Sequence, residues 1–411
     1  MKLILKPIVV VVSLFIFLSC STAKKVDFIT PVDTTSKEIS IQLKKTFKIA
    51  ELGVYLSNEF DGARLNNIKK LNDSTALVII TPENEPINNS PYYAFKAWSD
   101  NEKPFYFTFN YPKGYKHRYL PKLTRTDQWK AIDSTAVFTI DTLVTIKVNL
   151  NKQPLTIAAQ ELQTSKDVRN WYTNLLETND FVHLKNFGKS KLGRDLPVLD
   201  IYIGAKKDKP IITLLTRQHP PEVTGYYAFQ SFLETILNGS EASKKFLNNY
   251  RILAFPIMNP DGVDLGHWRH NAGGVDTNRD WSQYHQPEIK QTVKFIAKEM
   301  KVNHSKIILG LDFHSTWYDI FYTNTVREGT TLPNFIDDWF EALEQNIPDY
   351  KINEASSNST KPVSKGWILY GHKATGITYE IGDATPRDRI KMIGKISAEQ
   401  MMNILLNTNT N

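Results

Sequence analysis

The chain contains almost no cysteine and no long run of basic residues. A single cysteine among 411 residues excludes a fold held together by disulfides and a zinc site built from thiolates. The 50 basic and 43 acidic residues leave a net charge of +7, which is too evenly spread to indicate nucleic-acid binding. Glycine (19) and proline (20) show no collagen-like or linker-like excess. With 41% hydrophobic and 23% charged residues, the sequence predicts a folded protein of two or three domains, neither disordered nor polytopic in a membrane.

The first 20 residues have the features of a secretory signal peptide. Two lysines precede an apolar run over 7–18, which is too short to span a bilayer comfortably. Cys20 follows, and a cysteine directly after the cleavage point resembles a bacterial lipobox, although Phe17 fits its usual aliphatic position loosely. The alternative is an ordinary signal peptide that happens to contain a cysteine. The preferred interpretation is a bacterial cell-envelope lipoprotein, lipidated at Cys20 and anchored on the periplasmic or outer-membrane face. The acyl chains of a lipidated cysteine would hold it firmly, because each buried methylene adds about 0.8 kcal/mol.

Three further segments differ in pattern. Residues 21–37 are polar and rich in Thr, Ser and Lys, which predicts a tether. Residues 38–150 alternate β-rich runs with turn-prone segments, which favours an all-β sandwich domain. Its β-rich runs are 38–43, 75–81, 92–98, 104–111, 136–140 and 142–148.

Residues 151–411 predict an α/β domain, because apolar strands alternate with helices. Such strands belong to a sheet that is covered by helices on both faces. The predicted strands are 196–204, 210–216, 251–258, 306–313 and 376–382, and the predicted helices are 156–178, 222–237, 287–301 and 386–407. Ligands of such sheets bind at the carboxyl ends of the strands.

Two of these predicted strands deliver a histidine at that end. The strand 210–216 leads to His219, with Glu222 three residues later, and the strand 306–313 leads to His314. Imidazole and carboxylate groups bind zinc, and two histidines with one glutamate leave a fourth position open, as catalytic zinc sites do. A structural site is the alternative, but such sites are usually closed by four ligands rich in cysteine. The sequence therefore predicts one catalytic Zn²⁺ per chain.

Five other polar residues accompany this pattern. Arg279 can bind a carboxylate bidentately and Asn278 can donate to the same anion, while Asp276 can accept the free N–H of a zinc-bound imidazole. Arg269 can hold an oxyanion. Glu380 lies in an apolar β run, where it is either a general base beside a metal-bound water or part of a buried salt bridge.

These motifs together resemble the zinc carboxypeptidase family, the M14 metallopeptidases. In chain order they are HPPE at 219–222, NPDG at 259–262, WR at 268–269, VDTNRDW at 275–281, DFHS at 312–315 and TYE at 378–380. The resemblance covers about residues 155–400 and implies the family's mixed sheet with helices on both faces. The all-β segment resembles the amino-terminal β-sandwich of the cytosolic-carboxypeptidase-like branch.

The resemblance also implies roles for individual residues. These are zinc ligands (His219, Glu222 and His314), a catalytic base that later acts as acid (Glu380), a stabiliser of the tetrahedral oxyanion (Arg269), ligands of the substrate's C-terminal carboxylate (Asn278 and Arg279) and a support for the first histidine (Asp276). The resemblance therefore predicts a zinc-dependent metallocarboxypeptidase.

The chain departs from the digestive members of the family at three places. Pro221 stands where they have an arginine, so one substrate contact is missing or comes from elsewhere. Their mobile tyrosine has no match, because neither Tyr350 nor Tyr370 aligns with it. Lys365 falls where the digestive enzymes select the terminal side chain, and a lysine there favours an acidic terminal residue by charge pairing.

The preferred hypothesis is a carboxypeptidase that hydrolyses C-terminal residues from peptides in the cell envelope. The alternative is a zinc-dependent deacylase of N-acyl amino acids or a cell-wall peptide amidase, since Asn278 and Arg279 suit any substrate that ends in a carboxylate. A non-catalytic peptide-binding lipoprotein is less favoured, because such a protein is expected to have lost Glu380 or a zinc ligand. The expected partners are a peptide with a free C-terminal carboxylate and the membrane, with no nucleic acid, and the oligomeric state is left open.

Overall fold

The structure is a computed structural model, and it describes residues 25–408 apart from Asp127 and Asp141. The predicted signal peptide and Cys20 lie outside the described residues. Within the described part, no helix combines the length and apolar character needed to cross a membrane. An all-β part comes first along the chain, and an α/β part follows it.

Two sheets make up the all-β part. The strands are β1 (Thr46–Ile49), β2 (Val54–Ser57), β3 (Asn67–Asn72), β4 (Thr75–Ile79), β5 (Ala94–Ser99), β6 (Lys103–Asn110), β7 (Lys122–Thr124), β8 (Lys130–Ala131), β9 (Val137–Ile140), β10 (Leu143–Leu150) and β11 (Leu155–Ala158). One sheet has the order β1-β2-β5-β11-β7-β8 and the other β3-β4-β6-β10-β9. Neighbours are antiparallel except β4 and β6, which are parallel.

The two sheets pack face to face through aromatic side chains. Phe105, Phe107 and Phe109 alternate along β6 and are all buried, because every second residue of a strand faces the same side. The ring of Phe95, on β5 of the other sheet, meets Phe107 at 5.5 Å in an edge-on contact. This shared core makes the part a β-sandwich.

The limits of this part differ from the predicted 38–150. Strand β11 pairs with β5 and β7 and so extends the sandwich past residue 150. The predicted strand 38–43 is absent. The prediction placed its apolar residues in the core, but Ile41 and Leu43 are exposed and the polar Gln42 is buried instead. The Gln42 amide donates to the carbonyl of Ala63 at 2.5 Å, so a side chain supplies bonds that a strand would make with its backbone.

One mixed sheet of eight strands forms the centre of the α/β part. Its strands are β12 (Val182–Lys189), β13 (Asp195–Ile201), β14 (Ile211–Thr216), β15 (Arg251–Phe255), β16 (Ile307–Thr316), β17 (Ile320–Thr323), β18 (Glu354–Ser356) and β19 (Thr375–Gly382), in the order β12-β13-β15-β14-β16-β19-β17-β18. The four central strands β15, β14, β16 and β19 are parallel, and β13 and β17 flank them in antiparallel orientation.

Helices cover both faces of this sheet. They are α1 (Ser165–Thr178), α2 (Val223–Ile236), α3 (Glu241–Asn249), α4 (Pro260–Leu265), α5 (Pro287–Asn303), α6 (Phe335–Asn346), α7 (Ser364–His372) and α8 (Arg387–Asn407). In β15, Ile252 and Ala254 pack towards α2 and α8, while Leu253 and Phe255 pack towards α5 and α7. The predicted fold class, a mixed α/β sheet with helices on both faces after a β-sandwich, is confirmed.

The helix predicted over 156–178 begins only at Ser165. The preceding residues 155–158 are taken up by β11. Thr164 then starts the helix with a capping box, in which its side chain and that of Asp167 each accept from the other's backbone N–H.

Residues 25–37, most of the predicted tether, instead lie along the α/β part, and we call them the N-terminal strap. Val26 is buried among residues of α5 and α7, and the ring of Phe28 meets that of Tyr370 at 5.4 Å. The Thr34 hydroxyl donates to the buried carboxylate of Asp280. The composition did not predict this docking, because the segment is mostly polar. Two apolar side chains and a few hydrogen bonds are sufficient to hold it in place.

Candidate active site

Strand pairing brings the predicted site residues to one edge of the sheet. Strands β14 and β16 are parallel neighbours, so their carboxyl ends deliver His219 and His314 to the same place. Strand β16 also pairs with β19, with His314 opposite Glu380 in register. Since neighbouring strands lie about 4.8 Å apart, these two side chains are adjacent.

The donor atoms of His219, Glu222 and His314 converge on one point. The Nδ1 atoms of the two histidines are 3.2 Å apart. They lie 2.8 Å and 2.6 Å from the two carboxylate oxygens of Glu222. All three residues are buried, and burial of such polar groups is costly unless a partner is bound. Two imidazoles and a carboxylate are the donor set that zinc takes, so these residues fit a zinc ion.

The charge state of Glu222 agrees with this role. Burial favours its neutral form, but the adjacent His219 and His314 hold the pKa of Glu222 below its ordinary value. The carboxylate is therefore ionised, as a metal ligand must be.

A second carboxylate orients each histidine. Asp276 Oδ1 lies 2.9 Å from Nε2 of His219, as the sequence predicts. Asp312 Oδ2 lies 2.9 Å from Nε2 of His314 and also accepts from the Gln218 amide. An N–H donated from Nε2 leaves the Nδ1 lone pair for the metal. Sequence reasoning missed Asp312, although residues two apart in a strand share a face and the motif D-x-H could have indicated it.

Asp276 also links the two arginines of the site. Arg269 Nε donates to Asp276 Oδ2 at 2.7 Å, and Arg279 Nη1 is 3.8 Å from the same oxygen. Although burial opposes ionisation, the charges of Arg269 and His219 hold the pKa of Asp276 well below its usual range. Both guanidinium groups line the same cleft as the three metal-binding candidates.

The predicted Asn278 is held at the base of this cleft. Its Oδ1 accepts from the backbone N–H of Ser364 at 2.9 Å, and its Nδ2 lies 3.3 Å from Nε2 of His314. The structure thus brings Asn278 together with both arginines and the metal-binding candidates.

Glu380 lines the cleft without a partner for one of its oxygens. Among the described residues, Oε2 is buried without a hydrogen bond and no ion pair involves this carboxylate. Burial, followed by repulsion from Glu222, raises the pKa of Glu380 to about 7. A carboxylate with this pKa is suited to accept and return a proton near neutral pH.

Lys365 also reaches the cleft, from the first turn of α7. Its Nζ donates to the carbonyls of Thr323 and Ser357 at 2.7 and 2.6 Å and lies 3.3 Å from Oδ1 of Asn324. These acceptors are neutral, and no salt bridge to Lys365 occurs within the part of the chain that is described. Burial lowers the pKa of Lys365 to about 8.

The cleft has a volume of about 610 Å³ and includes residues that the sequence did not indicate. Trp317 and Tyr322 line it from the α/β part, and Asn88, Asn89, Ser90 and Arg118 line it from the β-sandwich. Of the two tyrosines that do not align with the family's mobile tyrosine, Tyr350 is buried in the core on the α2 and α8 face, and Tyr370 contacts Phe28. Unlike these two residues, Tyr322 lines the cleft.

Arg118 joins the β-sandwich to this edge of the sheet. Its guanidinium donates to both carboxylate oxygens of Asp383 at 2.7 and 3.2 Å, to the Ser90 hydroxyl and to the Ser315 carbonyl. The cleft therefore contains an arginine from the other domain, whereas Pro221 provides none. No local pattern could reveal it, because Arg118 is about one hundred residues from His219 in sequence.

Known proteins share this fold. A metallo-carboxypeptidase from Burkholderia cenocepacia superimposes with a TM-score of 0.70 at 15% identity and covers 86% of this chain and 99% of its own. A metallo-carboxypeptidase from Pseudomonas aeruginosa, solved in complex with (2-guanidinoethylmercapto)succinic acid, gives a TM-score of 0.67 at 17% identity and covers 85% of this chain and 98% of its own. At these identities the likeness establishes the fold alone.

Sequence relatives match over shorter stretches. Cytosolic carboxypeptidase 2 of Xenopus tropicalis is 28% identical over 159 residues, which are 37% of this chain and 16% of that protein. Cytosolic carboxypeptidase 6 of Caenorhabditis elegans is 27% identical over 119 residues, which are 28% of this chain and 25% of that protein. The chain thus spans a quarter or less of these relatives. A family profile described as zinc carboxypeptidase (Peptidase_M14) matches residues 168–389, more than half of the chain and the whole metal-binding edge of the sheet, so the protein belongs to the zinc carboxypeptidase family.

Proposed function

We propose that the protein is a zinc-dependent carboxypeptidase that removes the C-terminal residue of peptides and holds one zinc ion per chain. The observation that carries this proposal is the composition of one cleft. It contains the converging donor atoms of His219, Glu222 and His314 together with the partnerless oxygen of Glu380. A metal site that lacked a base would suit binding, whereas this combination suits hydrolysis.

Zinc bound there would supply a Lewis acid that polarises the scissile carbonyl and makes water more acidic. Glu380 accepts a proton as water adds to the carbonyl carbon, and it returns that proton to the amine when the C–N bond breaks. Arg269 donates to the carbonyl oxygen as negative charge develops on it. Arg279 and Asn278 hold the terminal carboxylate and so select an exopeptidase position.

We propose that Lys365 gives this site a preference for an acidic terminal residue. A cation buried among neutral acceptors gains stabilisation when a carboxylate enters.

We further propose that the protein is a lipoprotein of the bacterial cell envelope, lipidated at Cys20. The support is the N-terminal sequence pattern, in which Cys20 directly follows the apolar run over 7–18 and Ser19. Incorporation of a labelled fatty acid by the native chain, and its loss in Cys20→Ala, is the expected result. Equal labelling of both chains would contradict the proposal.

The test of the activity pairs zinc content with hydrolysis of peptides that have a free C terminus. We expect about one zinc per chain and release of the terminal amino acid. Glu380→Gln should keep its zinc and lose activity. Zinc binding with turnover only of N-acyl amino acids or cell-wall peptides would favour a deacylase or amidase instead, and absence of zinc binding would overturn the hydrolase proposal.

A further inference from the structure

A carboxylate of the β-sandwich is buried directly beneath the loop that carries Arg269. Glu83 lies between β4 and β5 and has 0% of its surface exposed. The backbone N–H groups of three successive residues donate to it: Trp268 at 2.8 Å, Arg269 at 3.0 Å and His270 at 2.7 Å. Successive amides around one anion form a strong and rigid contact, because each bond is charge-assisted.

Neighbouring contacts hold the same loop against the sandwich. The indole of Trp268 belongs to the sandwich core, where its ring meets that of Tyr115 at 5.2 Å. Asn84, next to Glu83, lies 2.7 Å from Nδ1 of His270 and donates to the carbonyl of Gly274 at 3.0 Å. The loop therefore takes its backbone position from the other domain.

The side chain of Arg269 then points away from this anchor into the cleft. Its Nε donates to Asp276, which also contacts His219. Glu83 thus holds the backbone of Arg269, and Asp276, beside the candidate metal site, holds its guanidinium group. A displacement of about 1 Å in such a group can lower a rate about 100-fold.

We propose that Glu83 is a positioning residue that places Arg269 for stabilisation of the oxyanion, so that the β-sandwich completes the active site. This inference rests on the proposed function of the cleft. Glu83→Gln preserves the size of the side chain but replaces one acceptor oxygen with an amide nitrogen that faces backbone N–H groups. The variant therefore releases the loop while leaving Arg269 and the metal ligands in the chain.

The test is a double-mutant cycle between Glu83→Gln and Arg269→Ala, with zinc content and thermal unfolding measured for each variant. We expect kcat of Glu83→Gln to fall about tenfold or more, but by less than the loss of about 100- to 1000-fold found when an oxyanion donor is removed altogether. KM should change little, because the oxyanion forms after the substrate binds. In the Arg269→Ala background, Glu83→Gln should have almost no further effect.

Glu299→Gln is the matched control, since Glu299 is also a buried carboxylate but pairs with Arg251 at the start of β15, the end of the strands opposite the cleft. We expect it to leave kcat unchanged. Multiplicative losses in the double variant, or an equal fall for the control, would overturn the role of Glu83. Lack of peptide hydrolysis by the zinc-loaded native protein would instead overturn the proposed function, so the two failures are distinguishable.

Discussion

At the scale of single residues, the site depends on carboxylates with similar chemistry in different surroundings. Glu222 lies between two imidazoles that keep it ionised, whereas Glu380 has a buried oxygen without a partner and a pKa raised to about 7. The surroundings thus suggest one carboxylate as a ligand and the other as a proton carrier. The residue types were readable in the sequence, but this difference was not, because it comes from neighbours on other strands.

The role of Lys365 is tested by replacing its charge. Lys365→Gln should lower the ratio of kcat/KM for acidic over apolar C-terminal residues by about tenfold or more, since a factor of ten corresponds to about 1.4 kcal/mol. The measurement compares peptides that differ only in their last residue. An unchanged ratio would contradict the assigned role.

The selectivity of the native protein should also depend on pH. Burial lowers the pKa of Lys365 to about 8, so in the free protein its charge is present below that pH and is lost above it. We therefore expect the acidic-to-apolar ratio of kcat/KM to fall as the pH rises through about 8. Lys365→Arg is the control, because a guanidinium stays charged and should remove this dependence. A native ratio that stays flat between pH 7 and pH 9 would be evidence against a titrating lysine.

At the scale of secondary-structure elements, strand β16 supplies both a histidine of the candidate metal site and the carboxylate that orients it. Asp312 and His314 are two residues apart and share a face, so the strand geometry alone places the carboxylate beside the imidazole. The apolar pattern of this strand was enough to predict it. The edge strand β12 was missed, because most of its residues are at least partly exposed and its sequence lacks a clear apolar alternation. Strand β17 was missed because a mostly buried run of four residues is too short to show a period.

Removing the support from His314 should weaken zinc binding. Asp312→Asn is expected to lower zinc affinity about 10- to 100-fold, because the imidazole loses the acceptor that fixes its orientation. Competition with a chromophoric chelator measures this affinity. Asp388→Asn, on the exposed surface of α8, is the control and should bind zinc like the native protein. Equal affinities for both variants would show that Asp312 has no such role.

At the scale of the whole molecule, the β-sandwich and the α/β part are joined by a common hydrophobic core and by an ion pair. Trp268 of the α/β part is buried in the core of the β-sandwich, and Arg118 of the sandwich pairs with Asp383 of the α/β part. The strap then lies along α5 and α7. These contacts indicate that neither part is independent of the other.

We therefore expect the protein to unfold in one cooperative step. Calorimetry should give one transition with equal calorimetric and van't Hoff enthalpies. Trp268→Ala should lower the stability of the whole molecule by about 3–5 kcal/mol, because it empties a large site in the shared core. Two separated transitions in the native protein would contradict this coupling.

The sequence by itself determined the fold class and predicted the three residues of the candidate metal site. Apolar strands alternate with helices in a local pattern, and His219, Glu222 and His314 follow strand ends that the pattern reveals. Only the tertiary structure decided which residues from the β-sandwich complete the cleft, where the strap docks and how each carboxylate is charged. The physical reason is that burial, partners and pKa depend on contacts between segments far apart in the chain, and such contacts leave no local periodicity to read.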